Sequence, residues 1–194
     1  MLKRVFAAPA ASPLRRSVSN ALLYTHRFHT PVGTILAVSD GDHLHAIDFG
    51  DYELRLRTLL KRRLGPVNMV EGEDPLGIET AFQAYFRGDL AALNRLPVAF
   101  TGTPFQNQVW LALQDVPPSE TQTYGELSRR LGNPHGQRAV GFAVGQNPIA
   151  IVVPCHRIVG SDGALTGYAG GIPRKRWLLE HEQRYAKPVD RTLN

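Results

Sequence analysis

Helix punctuation is unusually dense between residues 103 and 145, and it limits this half of the chain to short helices joined by tight turns. Thr103-Pro104-Phe105-Gln106 reads as a capping box with proline at the first helical position. Phe105, Val109 and Leu113 then fall on one face, and Pro117-Pro118 ends the segment. Thr123-Tyr124-Gly125-Glu126 is a second capping box, opening a helix with Leu127 and Leu131 inward. Gly132 stops it, Asn133 caps the next helix, Pro134 takes its first position, and that helix is expected to reach Val144 or Gly145. Two helices joined by a tight Gly-Asn turn form a helix-turn-helix unit. Gly136, Ala139, Gly141 and Ala143 keep its second helix thin while Arg138 supplies one long cation, which suits close approach to a nucleic-acid groove. Many such helix pairs serve only as packing units, so the geometry alone leaves both readings open.

The apolar run Ile149 to Val153 reads as a buried strand, and Pro154 cannot continue a ladder, so Cys155 is expected at a strand end. Cys155 is the only cysteine in the 194 residues. One cysteine cannot form an intramolecular disulfide or a thiolate-rich zinc site, and it points to a reducing compartment. A lone intracellular cysteine is more often a small buried hydrophobe than a nucleophile. Here its neighbours weigh the other way, since a thiol needs a base or cation to act as thiolate and His156 and Arg157 follow it directly.

The first half reads as a small α+β unit without a chemical cluster. Strands are predicted over Leu22–Phe28, Thr34–Ser39 and His43–Phe49, with Asp40-Gly41 as a hairpin turn. Helices are predicted over Tyr52–Leu64 and Pro75–Arg87, the second capped by Asp74 and closed by Gly88; residues 90–101 read as a linker. His26, His29, His43 and His45 lie in or beside these strands without a nearby cysteine and read as surface or turn residues, so no metal is expected. Residues 1–21 read as a basic tail that Pro9 and Pro13 keep from forming an amphipathic helix. No apolar stretch approaches the ~20 residues that span a bilayer. The formal charge is +5, unevenly spread: residues 31–122 hold seven basic and twelve acidic residues, whereas 123–194 hold ten basic and five acidic. Such a basic C-terminal part suits contact with a polyanion.

At these residues the chain resembles the O6-alkylguanine-DNA alkyltransferases, the methylated-DNA–protein-cysteine methyltransferases, of bacterial type. The resemblance rests on Thr103-Pro104-Phe105-Gln106 with Val109-Trp110, Thr123-Tyr124-Gly125-Glu126-Leu127, Gly132-Asn133-Pro134, Arg138-Ala139-Val140-Gly141 and Asn147-Pro148. It continues through Pro154-Cys155-His156-Arg157, Gly167-Tyr168-Ala169-Gly170-Gly171 and Trp177-Leu178-Leu179 with His181-Glu182. It implies an α+β fold, with a ribonuclease-H-like small antiparallel sheet and helices over 22–101, then a mainly helical helix-turn-helix domain over 102–194 for DNA binding and alkyl transfer. It implies repair of O6-methylguanine, and of O4-methylthymine, in duplex DNA by irreversible transfer to Cys155, once per molecule and without a cofactor. His156 is then the base, Glu182 its orienter, Asn147 the residue ordering the turn, and Tyr124 the donor to the departing base. Arg138 fills the space left by the extruded base, and Ala139 and Gly141 approach the DNA. Tyr168, Ile158, Ala169, Ala150 and Phe142 are expected around the alkylguanine pocket, although Phe142 is bulky where this family usually keeps a small residue. The resemblance further implies a monomer that binds double-stranded DNA through the minor groove, and a cytoplasmic, nucleoid-associated protein, or a nuclear one in a eukaryote.

Two other functions fit parts of the sequence. A non-catalytic sensor of alkyl damage would share the helix-turn-helix, but such sensors replace the reactive cysteine. A cysteine-histidine hydrolase would share Cys155 and His156, yet no glycine run beside the thiol offers an oxyanion hole.

Overall fold

The computed structural model describes residues 22–186, so the expected tail over 1–21 lies outside the described residues. The chain opens with strands β1 (Leu22–Thr30), β2 (Gly33–Ser39) and β3 (Leu44–Phe49), joined as an antiparallel meander. The Asp40-Gly41 turn forms as expected: Asp40 Oδ1 accepts from the Asp42 and His43 amides at 3.0 and 2.7 Å, and Gly41 supplies φ +95°. Helix α1 (Glu53–Leu64) follows. A fourth strand, β4 (Asn68–Glu71), joins parallel to β1, giving the order β3-β2-β1-β4. It escapes the sequence reading because its four residues show no clean alternation, and its place comes from pairing with β1.

Both sheet faces are covered. On one face Leu23, Leu36, Val38 and Ala46 pack under Leu56 and Leu60 of α1. On the other, Phe28, Ile35, Ala37, Ile47 and Phe49 meet α2 (Ile78–Phe86) and the C-terminal half in one continuous core. Helix α2 begins three residues later than the sequence predicts. Asp74 still caps it, at a distance, by accepting from the Ile78 and Glu79 amides at 2.8 Å each, while Gly77 turns the chain at φ +64°.

The C-terminal half contains α3 (Pro104–Gln114), β5 (Gln122–Thr123), α4 (Tyr124–Arg130), α5 (Gln137–Gly145), β6 (Ile158–Val159) and α6 (Ile172–Tyr185). Both capping boxes form with reciprocal bonds, Thr103 with Gln106 and Thr123 with Glu126. The start of α5 is corrected: Asn133 to Gly136 make a turn, and the helix begins at Gln137 rather than Pro134. The Ser128 hydroxyl bonding the Asn133 carbonyl, with Gly132 at φ +74°, holds the two helices close. Ala143 is also corrected, since it is buried and its carbonyl accepts from Trp110 Nε1 at 2.9 Å, tying α5 to α3. The outer side of α5 carries Arg138, Ala139, Phe142 and Gly145.

Candidate active site

The predicted strand over Ile149–Val153 is a tight turn instead. Asn147, itself buried, occupies the place of a strand partner: its Oδ1 accepts from the Ile149 amide at 3.0 Å and its Nδ2 donates to the Val153 carbonyl at 2.8 Å. The turn bends so sharply that Ile151 adopts φ +69°, a region a β-branched residue enters only when its surroundings over-determine it. The edge of β3 supplies part of that constraint, because the Ile47 amide donates to the Pro148 carbonyl and the Ala150 amide to the Ile47 carbonyl, both at 2.9 Å. The chain then enters a 3-10 turn, Cys155–Arg157, so Cys155 sits at a helical turn and not a strand end.

Cys155 opens onto a cavity of about 240 Å³. Tyr124, Gly141, Asn147, Ala150, Tyr168 and Ala169 line it; of these the sequence reading places Ala150, Tyr168 and Ala169 at the alkylguanine pocket, Tyr124 and Asn147 in the chemistry, and Gly141 against DNA. The volume is below the ~300–1,000 Å³ of pockets for drug-sized ligands, which suits a single flat group. Two expected members are absent from the lining. Ile158 is fully buried outside the lining, and its carbonyl accepts from Lys175 Nζ at 2.5 Å. Phe142 points away, 68% exposed on the outer side of α5, because one residue's step along a helix turns it about 100° from Gly141. Arg138 and Ala139 lie outside the cavity on that same exposed side of α5.

Behind the cavity a buried network surrounds Glu182. Its carboxylate accepts from Tyr85 Oη (2.8 Å), the Ser119 amide (3.1 Å), Arg157 Nη2 (2.8 Å) and Arg157 Nε (3.0 Å to Oε2), and lies 2.9 Å from His156 Nε2. Burial pushes this carboxyl up, but the His156 and Arg157 contacts more than reverse that and hold it well below the usual carboxylate range. An ionised carboxylate only accepts, so His156 Nε2 carries the hydrogen and Nδ1 keeps its lone pair. Burial lowers the His156 imidazole as well, leaving it neutral, and Nδ1 is buried with no partner among the described residues. A neutral imidazole with one free buried lone pair is a proton acceptor waiting for a donor. The Tyr168 hydroxyl is likewise buried, with no partner among the described residues.

Burial pushes the Cys155 thiol up, opposed by a hydrogen bond with Asn147 and by the positive charges of Arg55 and Lys175. Arg55 comes from α1, in the half where the sequence shows no chemical cluster. It lines the cavity, pairs with buried Asp48 at 2.5 Å, and donates to the carbonyls of Gly145 (2.8 Å) and Asn147 (3.1 Å). These contacts span about ninety residues of sequence, so no local pattern betrays them. Arg55 therefore bonds the carbonyls at the end of α5 and places a cation beside the sulfur. Arg55→Ala is expected to slow iodoacetamide alkylation of Cys155 and move its pH dependence upward, with Arg55→Lys recovering part of the change. An unaltered pH profile for both variants would remove the electrostatic role. Lys175 and Tyr85 also escape the sequence reading, and no local pattern marks them; Arg157 reads in the sequence only as a cation near the thiol, whereas the structure pairs it with Glu182.

Comparison with known proteins follows the same division of the chain. Residues 23–100 match the family model for the ribonuclease-like domain of 6-O-methylguanine DNA methyltransferase, and residues 104–184 match that for its DNA binding domain. The chain is 42% identical over 164 residues to the methylated-DNA–protein-cysteine methyltransferase of Shigella flexneri, covering 82% of this chain and 95% of that protein. Its Salmonella typhimurium counterpart is 44% identical over 163 residues, with the same coverage. Among solved structures, Mycobacterium tuberculosis O6-methylguanine methyltransferase superposes with a TM-score of 0.69 at 36% identity, over 86% of this chain and 96% of that one. A crystal structure of M. tuberculosis OGT in complex with DNA matches with the same figures.

Proposed function

The chain belongs to the 6-O-methylguanine DNA methyltransferase family, which repairs DNA by moving an alkyl group onto a cysteine of the protein, and on that premise we propose how its residues divide the work. The single observation that carries the assignment is arithmetic: the chain has one cysteine, Cys155, and it opens onto the cavity. The Cys155 sulfur attacks the alkyl carbon in line; the new bond is S–C, the bond broken is C–O6, and guanine leaves with the electron pair. The thiol proton passes through a water to His156 Nδ1, which Glu182 keeps free by fixing the tautomer. Tyr124, whose hydroxyl burial keeps protonated, hydrogen-bonds the departing base and reduces the charge that builds on it; the proton His156 took from the thiol then returns through water to that base, leaving neutral guanine and a neutral imidazole. The thioether product has no good leaving group, so each molecule reacts once. O4-methylthymine presents the same alkyl–oxygen bond on a smaller ring and is a second substrate.

The target base must leave the stack, at a cost of a few kcal/mol. Arg138, exposed on the outer side of α5, fills the vacated place, while Ala139 and Gly141 let the helix backbone approach the minor groove. Thus Arg138→Ala is expected to slow repair in duplex far more than reaction with the free modified base. Equal slowing of both, measured side by side, would remove the flipping role. The division into residues 22–101 as scaffold and 102–194 as reading and transfer domain follows from these assignments. A monomer suffices for this scheme, since every group it uses is in one chain. Bacterial relatives support a cytoplasmic protein working on the nucleoid, and no described helix is long and apolar enough to cross a membrane.

Intact-mass measurement after mixing with duplex DNA bearing one O6-methylguanine tests the assignment. The expected product is one added methylene per chain, mapped to the peptide holding Cys155. A modification elsewhere, or repeated turnover by one molecule, overturns it.

A further inference from the structure

Helix α5 exposes one large apolar side chain, Phe142, four residues after Arg138 and so on nearly the same side of the helix. Phe142 borders a groove of about 540 Å³ between α5, the start of α3 and the end of α1. Arg62, Arg63, Thr103, Gln106 and Gln146 share the lining, which includes two cations and no acidic side chain. That is notable because residues 31–122, which supply both arginines, hold an excess of acid. Arg63 is committed to the protein, lying over the Trp110 ring at 4.6 Å and bonding the Gln146 carbonyl. Arg62 is exposed and takes part in none of the ion pairs among the described residues.

We propose that this groove extends the DNA-binding surface onto the N-terminal half, with Phe142 as an apolar wedge against the minor-groove wall and Arg62 paired with a backbone phosphate. The inference rests on the reading of α5 as the helix that meets DNA, and deepens it. Three features choose duplex DNA as the occupant. The groove is continuous with the outer side of α5, its charge is complementary to phosphate, and an exposed apolar side chain beside basic residues is how groove-binding proteins brace against the duplex.

The test uses the full chain, a duplex with one O6-methylguanine, and the free modified base as control substrate. Phe142→Ala and Arg62→Ala are each expected to weaken duplex binding about three- to thirtyfold while leaving the free-base reaction unchanged. Arg62→Ala should also lower the slope of log affinity against log salt by about one, the signature of a lost phosphate contact. Arg138→Ala is the reference. If it weakens duplex repair while Phe142→Ala and Arg62→Ala leave binding and salt slope untouched, the extended surface is overturned and the reading of α5 stands. If Arg138→Ala also has no effect, the reading of α5 itself fails. A dimer in sedimentation that Phe142→Ala dissociates, with DNA affinity unaltered, would assign the groove to a second copy and overturn the proposal.

Discussion

Cys155→Ser is expected to yield a folded protein that binds alkylated duplex with ordinary affinity and repairs none of it. Serine matches the thiol in shape, and Asn147 beside it offers a polar side chain to a hydroxyl as to the sulfur. An alcohol is, however, far harder to ionise than a thiol and a poorer nucleophile toward an alkyl carbon than thiolate, so the oxygen does not stand in for the sulfur. Removal of the nucleophile in a well-studied protease lowers the rate on the order of 10⁶-fold, and a comparable fall here leaves no measurable transfer. Binding rests on α5 and the surfaces beside it, which this exchange does not touch. Two measurements check the outcome: duplex affinity by fluorescence anisotropy, and methyl transfer by intact mass. Residual transfer within tenfold of the parent would mean that another side chain accepts the alkyl group.

Glu182→Ala is expected to be the most destabilising single change in the site, costing about 3–5 kcal/mol, as when one partner of a buried pair is removed. Five donors converge on this carboxylate, and Arg157, buried among them, has its other bond at 2.5 Å to the Val116 carbonyl. Without Glu182 the guanidinium keeps its charge and loses its counter-ion in a place water cannot reach. His156 at the same time loses the acceptor that fixes its tautomer, so transfer slows even at temperatures where the fold survives. Urea unfolding gives the stability and free-base kinetics the activity; a loss under about 1 kcal/mol would show that water relaxes into the site. The carboxyl's folded value lies below its ordinary value of about 4.3, so its contribution is fully present above that range. It is lost as pH falls below about 4 toward the folded value. The parent protein should therefore show a steeper acid limb of stability than the variant.

How much of this was legible depends on how far each constraint reaches along the chain. The capping boxes at Thr103 and Thr123 form as read, because donor and acceptor are three residues apart and few alternatives compete. The Asp40-Gly41 turn is local in the same sense. Where a cap acts from outside the helix, as Asp74 does four and five residues ahead, the pattern still marks a helix but misplaces its start. Ile149 to Val153 fails for a different reason: its apolar run matches a buried strand, while its conformation is dictated by the Asn147 side chain and the edge of β3. Phe142 has the residue type of a pocket wall and the wrong helical phase to be one.

The sequence by itself determined which groups can do chemistry and where helices start and turn, since reactivity and caps are properties of a few adjacent residues. Only the tertiary structure decided what those groups experience. Burial of His156 and Glu182, the docking of Arg55 across about ninety residues, and the strained turn at Ile151 arise when distant segments exclude water together. Desolvation and long-range pairing are cooperative, so no short window of residues encodes them.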